Sequence, residues 1–468
     1  MKKILAFAAL FIALCNVSAK EVTGDWNGTL NINGMKLRVV FHILKTDKGY
    51  SATMDSPDQG AKGIPMTSAT YDNKTLTLLY DAAKINYSGQ VINSDSIAGT
   101  FTQMGISFPL GLSRKASVSD KPKRPQEPTP PFPYKSENIT FTHTTEKFTL
   151  AGTFTYPANG KNFPVVVLIS GSGPQNRDEE IMGHKPFLVL ADYLTRNGIA
   201  VLRFDDRGCY DSKGDFSRAT TNDFVTDVES AIAYLKTRKE INPKKIGLIG
   251  HSEGGIIAPL VASHNKDVSY IVMIAGTGAP GSEILLRQQE LIGRVNGAKE
   301  EDLNTTKDLN SHIFKMIHDI SNTDTLKARI AAYLLQKSKE LPESKIPPGS
   351  NINDIIDIQL KQITNPWMLN FLRYDPAPTL TKVHCPVLAI IGSKDLQVPA
   401  DINIPAIEKA LKQGGKKKYT VKELPGLNHL LQECKTGSPN EYPQIEQTIS
   451  PTALSLITGW IKSVCNMH

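Results

Sequence analysis

The sequence is poor in cysteine and tryptophan, and past its first residues it contains no long apolar run. Five cysteines and three tryptophans in 468 residues cannot build a disulfide scaffold. No C-x-x-C pair and no H-E-x-x-H segment occurs, so the common zinc-ligand spacings are missing. Charge of one sign is not concentrated either. The 53 basic and 46 acidic residues, net +7, are mixed along the chain, without the basic stripe of a nucleic-acid-binding surface. No stretch reaches the roughly 20 apolar residues that span a bilayer core. What is present is an ordinary globular composition, 40% hydrophobic and 21% charged with mean hydropathy −0.23. The length allows two or three domains of roughly 100 to 200 residues. These features exclude nucleic-acid binding, polytopic membrane function and a metal centre as expectations.

The first residues have the pattern of an export signal. Met1-Lys2-Lys3 gives a positive start, Ile4 to Leu14 an apolar run of eleven, and Val17-Ser18-Ala19 the small residues before a cleavage point. Cleavage after Ala19 is expected, with export to the periplasm or medium. Eleven residues make a helix of about 16 Å, about half a bilayer core, so no stable membrane span is expected. Acylation at Cys15 would make a lipoprotein, but Leu14 stands where such signals carry a small residue. Export permits disulfides among Cys209, Cys385, Cys434 and Cys465. A Cys434 to Cys465 bridge would pin the loop after His429; buried thiols are the alternative.

Three regions follow in the mature chain. Residues 20–115 show short alternating strands, among them Thr29 to Ile32 and Met35 to Val39 around Asn33-Gly34, a dipeptide suited to a tight hairpin turn. Further runs at Thr75 to Tyr80, Ser96 to Thr102 and Ser107 to Leu112 indicate an antiparallel barrel or sandwich. Residues 116–135 are proline-rich, with Pro122, Pro125, Pro128, Pro130, Pro131 and Pro133 favouring an extended, stiff linker. From residue 136 to 468, continuous apolar runs such as Val165 to Ser170, Lys245 to Ile249 and Val387 to Ile391 alternate with helical stretches, the pattern of an α/β fold with buried parallel strands. Between about 280 and 381 the period is helical throughout, which reads as an inserted cap.

The chemistry centres on Gly250-His-Ser-Glu-Gly-Gly255. A G-x-S-x-G pentapeptide alone is a weak signal, but here a buried-strand run precedes it and an apolar helical run, Gly255 to Ser263, follows it. Strand, sharp turn and helix are what a nucleophile elbow requires, and the glycines remove side chains that would clash in the turn. A serine hydroxyl needs a base in reach and a carboxylate that fixes the base's tautomer. In this arrangement the order is serine, acid, histidine. Asp395 follows the strand run Val387 to Ile391, at the active edge of an open sheet, and is the expected acid; Asp375, before Pro376, reads as a turn or cap residue. His429 alone among ten histidines follows a late strand run, Tyr419 to Leu424, and precedes the final helix, so it is the expected base. His251 is read as a packing residue, and His184, His264, His312 and His318 as ordinary polar or cap positions. For the oxyanion, the Glu253 amide follows the nucleophile, and the loop Ser170-Gly-Ser-Gly-Pro174 offers the Ser172 amide, with Gly171 as its neighbour and alternative.

Five ordered segments carry a family resemblance: Ser170-Gly-Ser-Gly-Pro-Gln-Asn-Arg-Asp178, Phe204-Asp-Asp-Arg-Gly208, Gly250 to Gly255, Gly392-Ser-Lys-Asp395 and Leu427-Asn-His429. Together they resemble the serine aminopeptidase-like α/β-hydrolases, in particular exported bacterial carboxylesterases with an N-terminal β domain. The resemblance implies an α/β-hydrolase fold with a helical cap, a Ser252/Asp395/His429 triad, hydrolysis of small carboxylic esters and no cofactor. The segment Pro366 to Pro376 resembles the return from cap to core, where Trp367 and Phe371 would line an acyl pocket or pack along a helix. One departure stands out. The family continues Arg-Gly-x-Gly-x-Ser after its fourth strand, and here Tyr210 replaces the second glycine, implying a narrower or reshaped pocket. A peptidase with the same triad, and an exported glycan- or lipid-binding protein with an inert hydrolase domain, are the rival readings.

Overall fold

The computed structural model describes residues 22–32, 35–59, 61–72, 74–103, 106–115, 123–340, 351–415 and 418–467. The export segment, the Asn33-Gly34 turn and the start of the proline-rich stretch lie outside the described residues. The chain divides into two compact units, with the boundary at Ser119 and Asp120.

The first unit is a closed antiparallel barrel. Its strands are β1 (Gly24–Ile32), β2 (Met35–Thr46), β3 (Gly49–Ser56), β4 (Ala61–Pro65), β5 (Ser68–Tyr71), β6 (Thr75–Tyr80), β7 (Ile85–Asn93), β8 (Ser96–Gln103), β9 (Ile106–Pro109) and β10 (Leu112–Ser113). Each pairs with the next along the ring, and β10 pairs with both β8 and β1, closing eight strands; β4 and β9 sit beside the ring on β3 and β8. Closure removes the free edges that a sandwich would keep. The run Ser107 to Leu112 is therefore two strands rather than one. Between them Leu110 turns inward, and its amide donates to the Gly99 carbonyl at 2.9 Å. Period-two alternation turns Ile85, Tyr87 and Val91 inward along β7. Trp26, Phe41 and Tyr87 fill the interior with the surrounding aliphatic side chains.

The second unit carries an eight-stranded sheet of β11 (Tyr134–Thr142), β12 (Thr149–Pro157), β13 (Phe163–Ile169), β14 (Ala200–Phe204), β15 (Ile241–His251), β16 (Val268–Ile274), β17 (Val387–Gly392) and β18 (Tyr419–Leu424). The order is β11-β12-β14-β13-β15-β16-β17-β18, parallel from β14 onward with β11 and β12 antiparallel at one edge. Alternate residues of one strand feed two cores. Val165, Val167 and Ile169 of β13 pack on the face that carries α2 (Thr221–Leu235), α3 (Gly254–His264), α9 (Ala377–Lys382) and α10 (Ala400–Gln413). Val166 and Leu168 pack on the face of α1 (Pro186–Arg196) and α11 (Pro451–Val464). A strand buried on both faces must be apolar at every position, which is why these runs were continuous in the sequence.

Between β16 and β17 the chain leaves the sheet. Helices α4 (Gly281–Val295), α5 (Glu300–Asp319), α6 (Thr323–Ser338), α7 (Ile352–Ile363) and α8 (Pro366–Arg373) close around a third core that includes Ile313, Ile317, Ile330, Leu369 and Leu372. α9 returns to the sheet layer through Leu380. Strand order, flanking helices and this insertion make the second unit an α/β-hydrolase fold, preceded by the closed barrel. Among the described residues no helix is long and apolar enough to cross a membrane.

The proline-rich stretch is not a free spacer over its described part. The Arg124 guanidinium donates to the carbonyls of Gly183, Pro443 and Ile445, and Gln126 bonds the backbone of Thr448 and Ile449. The stretch turns at Arg124, whose carbonyl accepts the Glu127 amide at 3.1 Å, and its other polar groups find partners on the surface that it crosses. Cys434 and Cys465 are not joined. The Cys434 thiol faces the Gly426 carbonyl, and Cys465 is buried in the core that includes Tyr270.

Candidate active site

The turn after β15 holds Ser252 at φ +53°, in the left-handed region that a non-glycine residue enters at a cost of about 1 to 3 kcal/mol. Backbone bonds hold it there: the Ser252 amide donates to the Ile274 carbonyl, and the Gly255 amide to the Ser252 carbonyl, each at 2.9 Å. A Cβ on Gly250 would fall on the Gly254 carbonyl, and one on Gly254 would fall on the Ile169 carbonyl. His251 and Glu253 are buried while Ser252 is partly exposed, so the turn presents one side chain outward.

Asp395 lies just past β17 and His429 just past β18. The Asp395 Oδ2 is 2.8 Å from His429 Nδ1, and its Oδ1 accepts the amides of Gln397 and Val398 at 2.8 Å each. Both residues are buried. Asn428 knits the base loop, its Oδ1 accepting the amides of Leu430 and Gln432 and its Nδ2 donating to Gln432 Oε1. The rival acid, Asp375, accepts the Ala377 amide at 2.9 Å at the head of α9, as a cap residue does. His184 sits buried between Thr448 and the Tyr442 carbonyl, and burial pushes it down to about 4. His264 pairs with Glu229, and His312 stacks on Tyr333 within the cap.

On the oxyanion side, the amides of Ser172 and Glu253 donate to no protein acceptor among the described residues. The alternative donor, Gly171, is corrected by the structure: its amide is engaged by Glu179 Oε1 at 2.7 Å. The loop is held from below by Asp206, whose Oδ1 accepts the Ser170 hydroxyl at 2.7 Å and whose Oδ2 accepts the Gln175 amide at 2.9 Å. A cavity of about 20 Å³ under the loop is lined by Asp206, Asp227 and Glu253, among others. Burial, reinforced by the charges of Asp227 and Glu253, pushes Asp206 up to about 8. The folded protein thus holds this proton more tightly than the unfolded chain. The stability it contributes is complete below the ordinary carboxylate range and declines as pH rises from there through about 8. Asp206→Asn is neutral at every pH, so its melting temperature should gain on the wild type between pH 5 and 9; parallel melting curves would refute this protonation.

The three pocket positions divide. Trp367 on α8 donates its indole N–H to Glu253 Oε1 at 2.7 Å, an oxygen that also accepts the Thr221 hydroxyl at 2.7 Å. Phe371 stacks on Trp367 at 5.6 Å between centroids. A cap side chain is therefore tied to the residue after the nucleophile, a role that no spacing in the sequence announced. Tyr210 does not enter the site. It is 68% exposed, at φ +49°, and lines neither the cavity under the loop nor a second one behind His251. Its left-handed backbone matches the glycine it replaces. His251 is more than packing: its Nδ1 meets Glu179 Oε1 at 2.8 Å and its Nε2 meets the His429 carbonyl at 3.0 Å. Arg177 braces two of the sequence motifs by bonding Asp205 and Asp211. Among the described residues no group of three or more His, Cys, Asp or Glu side chains is placed to hold a metal ion.

Comparison with known proteins agrees with the resemblance. The model of the serine aminopeptidase S33 family matches residues 185–340, which include the elbow and part of the cap. The chain is 25% identical over 332 residues to esterase EstD of Thermotoga maritima, covering 70% of this chain and 66% of that esterase. It is 24% identical over 270 residues to an uncharacterized 31.7 kDa protein of Escherichia coli, covering 56% of this chain and 81% of that one. Among solved structures, an esterase of Pyrococcus furiosus aligns with a TM-score of 0.40 at 15% identity, over 70% of this chain and 91% of the other.

Proposed function

We propose that this protein is an exported serine carboxylesterase that hydrolyses small carboxylic esters through an acyl-enzyme on Ser252. The observations that carry the reading are the 2.8 Å contact of Asp395 with His429 and a serine held at φ +53° in an elbow. Two amides, of Ser172 and Glu253, stand without protein acceptors to meet the oxyanion. Export rests on the pattern of residues 1–19, and the ester preference on the Thermotoga relative.

In the reaction, His429 Nε2 takes the Ser252 proton as Oγ attacks the ester carbonyl. The carbonyl oxygen becomes an oxyanion held by the two amides, and Asp395 stabilises the charged imidazole. His429 then returns the proton to the leaving alcohol. Water, activated by the same histidine, hydrolyses the acyl-enzyme. Esters are favoured over aminopeptidase substrates by the state of the nearby acids. A free α-amino group needs an available carboxylate, whereas Asp206 and Glu253 are buried, hydrogen-bonded and raised by that burial. A p-nitrophenyl ester series from acetate to decanoate, run beside aminoacyl p-nitroanilides, tests the choice. Ester turnover with untouched anilides is expected. Preferential anilide cleavage would make the protein an aminopeptidase, and silence on both would move attention to binding by the barrel.

A further inference from the structure

Glu179 and His251 take no part in the steps above, yet they touch all three loops that perform them. Both are buried, Glu179 at 0% and His251 at 4% exposure. Glu179 Oε1 accepts the Gly171 amide at 2.7 Å, on the loop that presents Ser172, and faces His251 Nδ1 at 2.8 Å. His251 immediately precedes the nucleophile, and its Nε2 lies 3.0 Å from the His429 carbonyl. The rings of His251 and His429 are 4.8 Å apart. Glu179 itself is held at φ +51°, a conformation that a non-glycine residue adopts only when its surroundings impose it.

We propose that Glu179 and His251 are a buried positioning pair that locks the oxyanion loop, the nucleophile elbow and the base loop into one geometry. The proposal rests on the serine hydrolase reading of this site. Proton accounting makes the pair specific. A carbonyl only accepts, so His251 Nε2 carries a proton. Nδ1 faces a carboxylate oxygen, which only accepts and takes the Gly171 amide as well, so the second ring nitrogen donates too. His251 is therefore an imidazolium beside a carboxylate. Burial alone would strip its proton; the charge and hydrogen bond of Glu179 outweigh that and raise its pKa. The titratable groups facing it are Glu179, His429 and Asp395.

Glu179→Gln cannot satisfy this arrangement. An amide oxygen at the shared position leaves an unpaired imidazolium or removes one ring proton, and an amide nitrogen there opposes the Gly171 amide. Either the ion pair or one of the three bonds is lost in every case. Glu179→Gln and His251→Gln should each lower kcat for a small ester about 10- to 100-fold with little change in KM. The double variant should be no slower than the slower single one, because the residues act as a unit. In ¹⁵N-histidine-labelled wild type, one exchange-protected histidine should keep both ring nitrogens protonated to higher pH than a free imidazole does. Folded variants with wild-type kcat would overturn the proposal, and so would the absence of such a histidine in the wild type. Failure of the parent reading looks different: wild type would then lack esterase activity, or Ser252→Ala would keep it.

Discussion

Ser252→Ala is expected to lower hydrolysis of a small p-nitrophenyl ester by about 10⁵- to 10⁶-fold, to a residue of rate sustained by binding and the oxyanion amides. The size follows from the chemistry. Without Oγ there is no acyl-enzyme, and His429 can at best activate water that the site does not align. The substitution should leave the fold intact. Alanine keeps the Cβ that the elbow already accommodates at φ +53°, and the bonds that fix the turn are backbone bonds to Ile274 and Gly255. The check is a pair of measurements on one preparation: steady-state rates, and a melting temperature within a few degrees of wild type. A fluorophosphonate should add its mass to the wild type and not to the variant. More than about a tenth of wild-type turnover in folded Ser252→Ala would end the nucleophile assignment.

Asp395→Asn should reduce kcat by about 10⁴-fold, with nearly unchanged stability and substrate binding. The hydrogen bonds around Asp395 say why. Its Oδ1 accepts two backbone amides, from Gln397 and Val398. In the asparagine variant those two donors require the amide oxygen, which turns the NH₂ group toward His429 Nδ1. Nδ1 must then accept, the ring proton moves to Nε2, and the base meets the serine with a proton already in place. Asp395→Ala tests the argument from the other side. It removes the enforced tautomer along with the carboxylate, so it should be less damaged than the asparagine variant. Equal losses in the two would show that charge alone, not tautomer, is at stake.

The elbow was legible because it needs three local features in one place: glycines around a serine, an apolar strand before and an apolar helix after. Asp395 and His429 were legible from their places behind late strands, since a parallel sheet puts strand ends on one edge. Closure of the first unit was not legible. It depends on the two-residue strand Leu112–Ser113 finding Asn27 and Gly28, whose partnership no local pattern records. Nor was the pairing of Glu179 with His251, 72 positions apart, or of Glu253 with Trp367, 114 apart. Composition marked the proline-rich stretch but said nothing of its turn at Arg124 or of where Arg124 and Gln126 would attach. Tyr210 misled because the motif reports a backbone angle, and the side chain that fills it points to solvent.

The cap encloses a core of its own, separate from the two cores of the sheet. Ile313, Ile330 and Leu369 gain their burial from one another rather than from the strands that carry Ser252, Asp395 and His429. Drift in these helices is therefore nearly free of consequence for the sheet below, provided the Trp367 bond to Glu253 and the Arg287 pair with Asp401 are kept. Such a chain can change what it admits without relearning how to cut it.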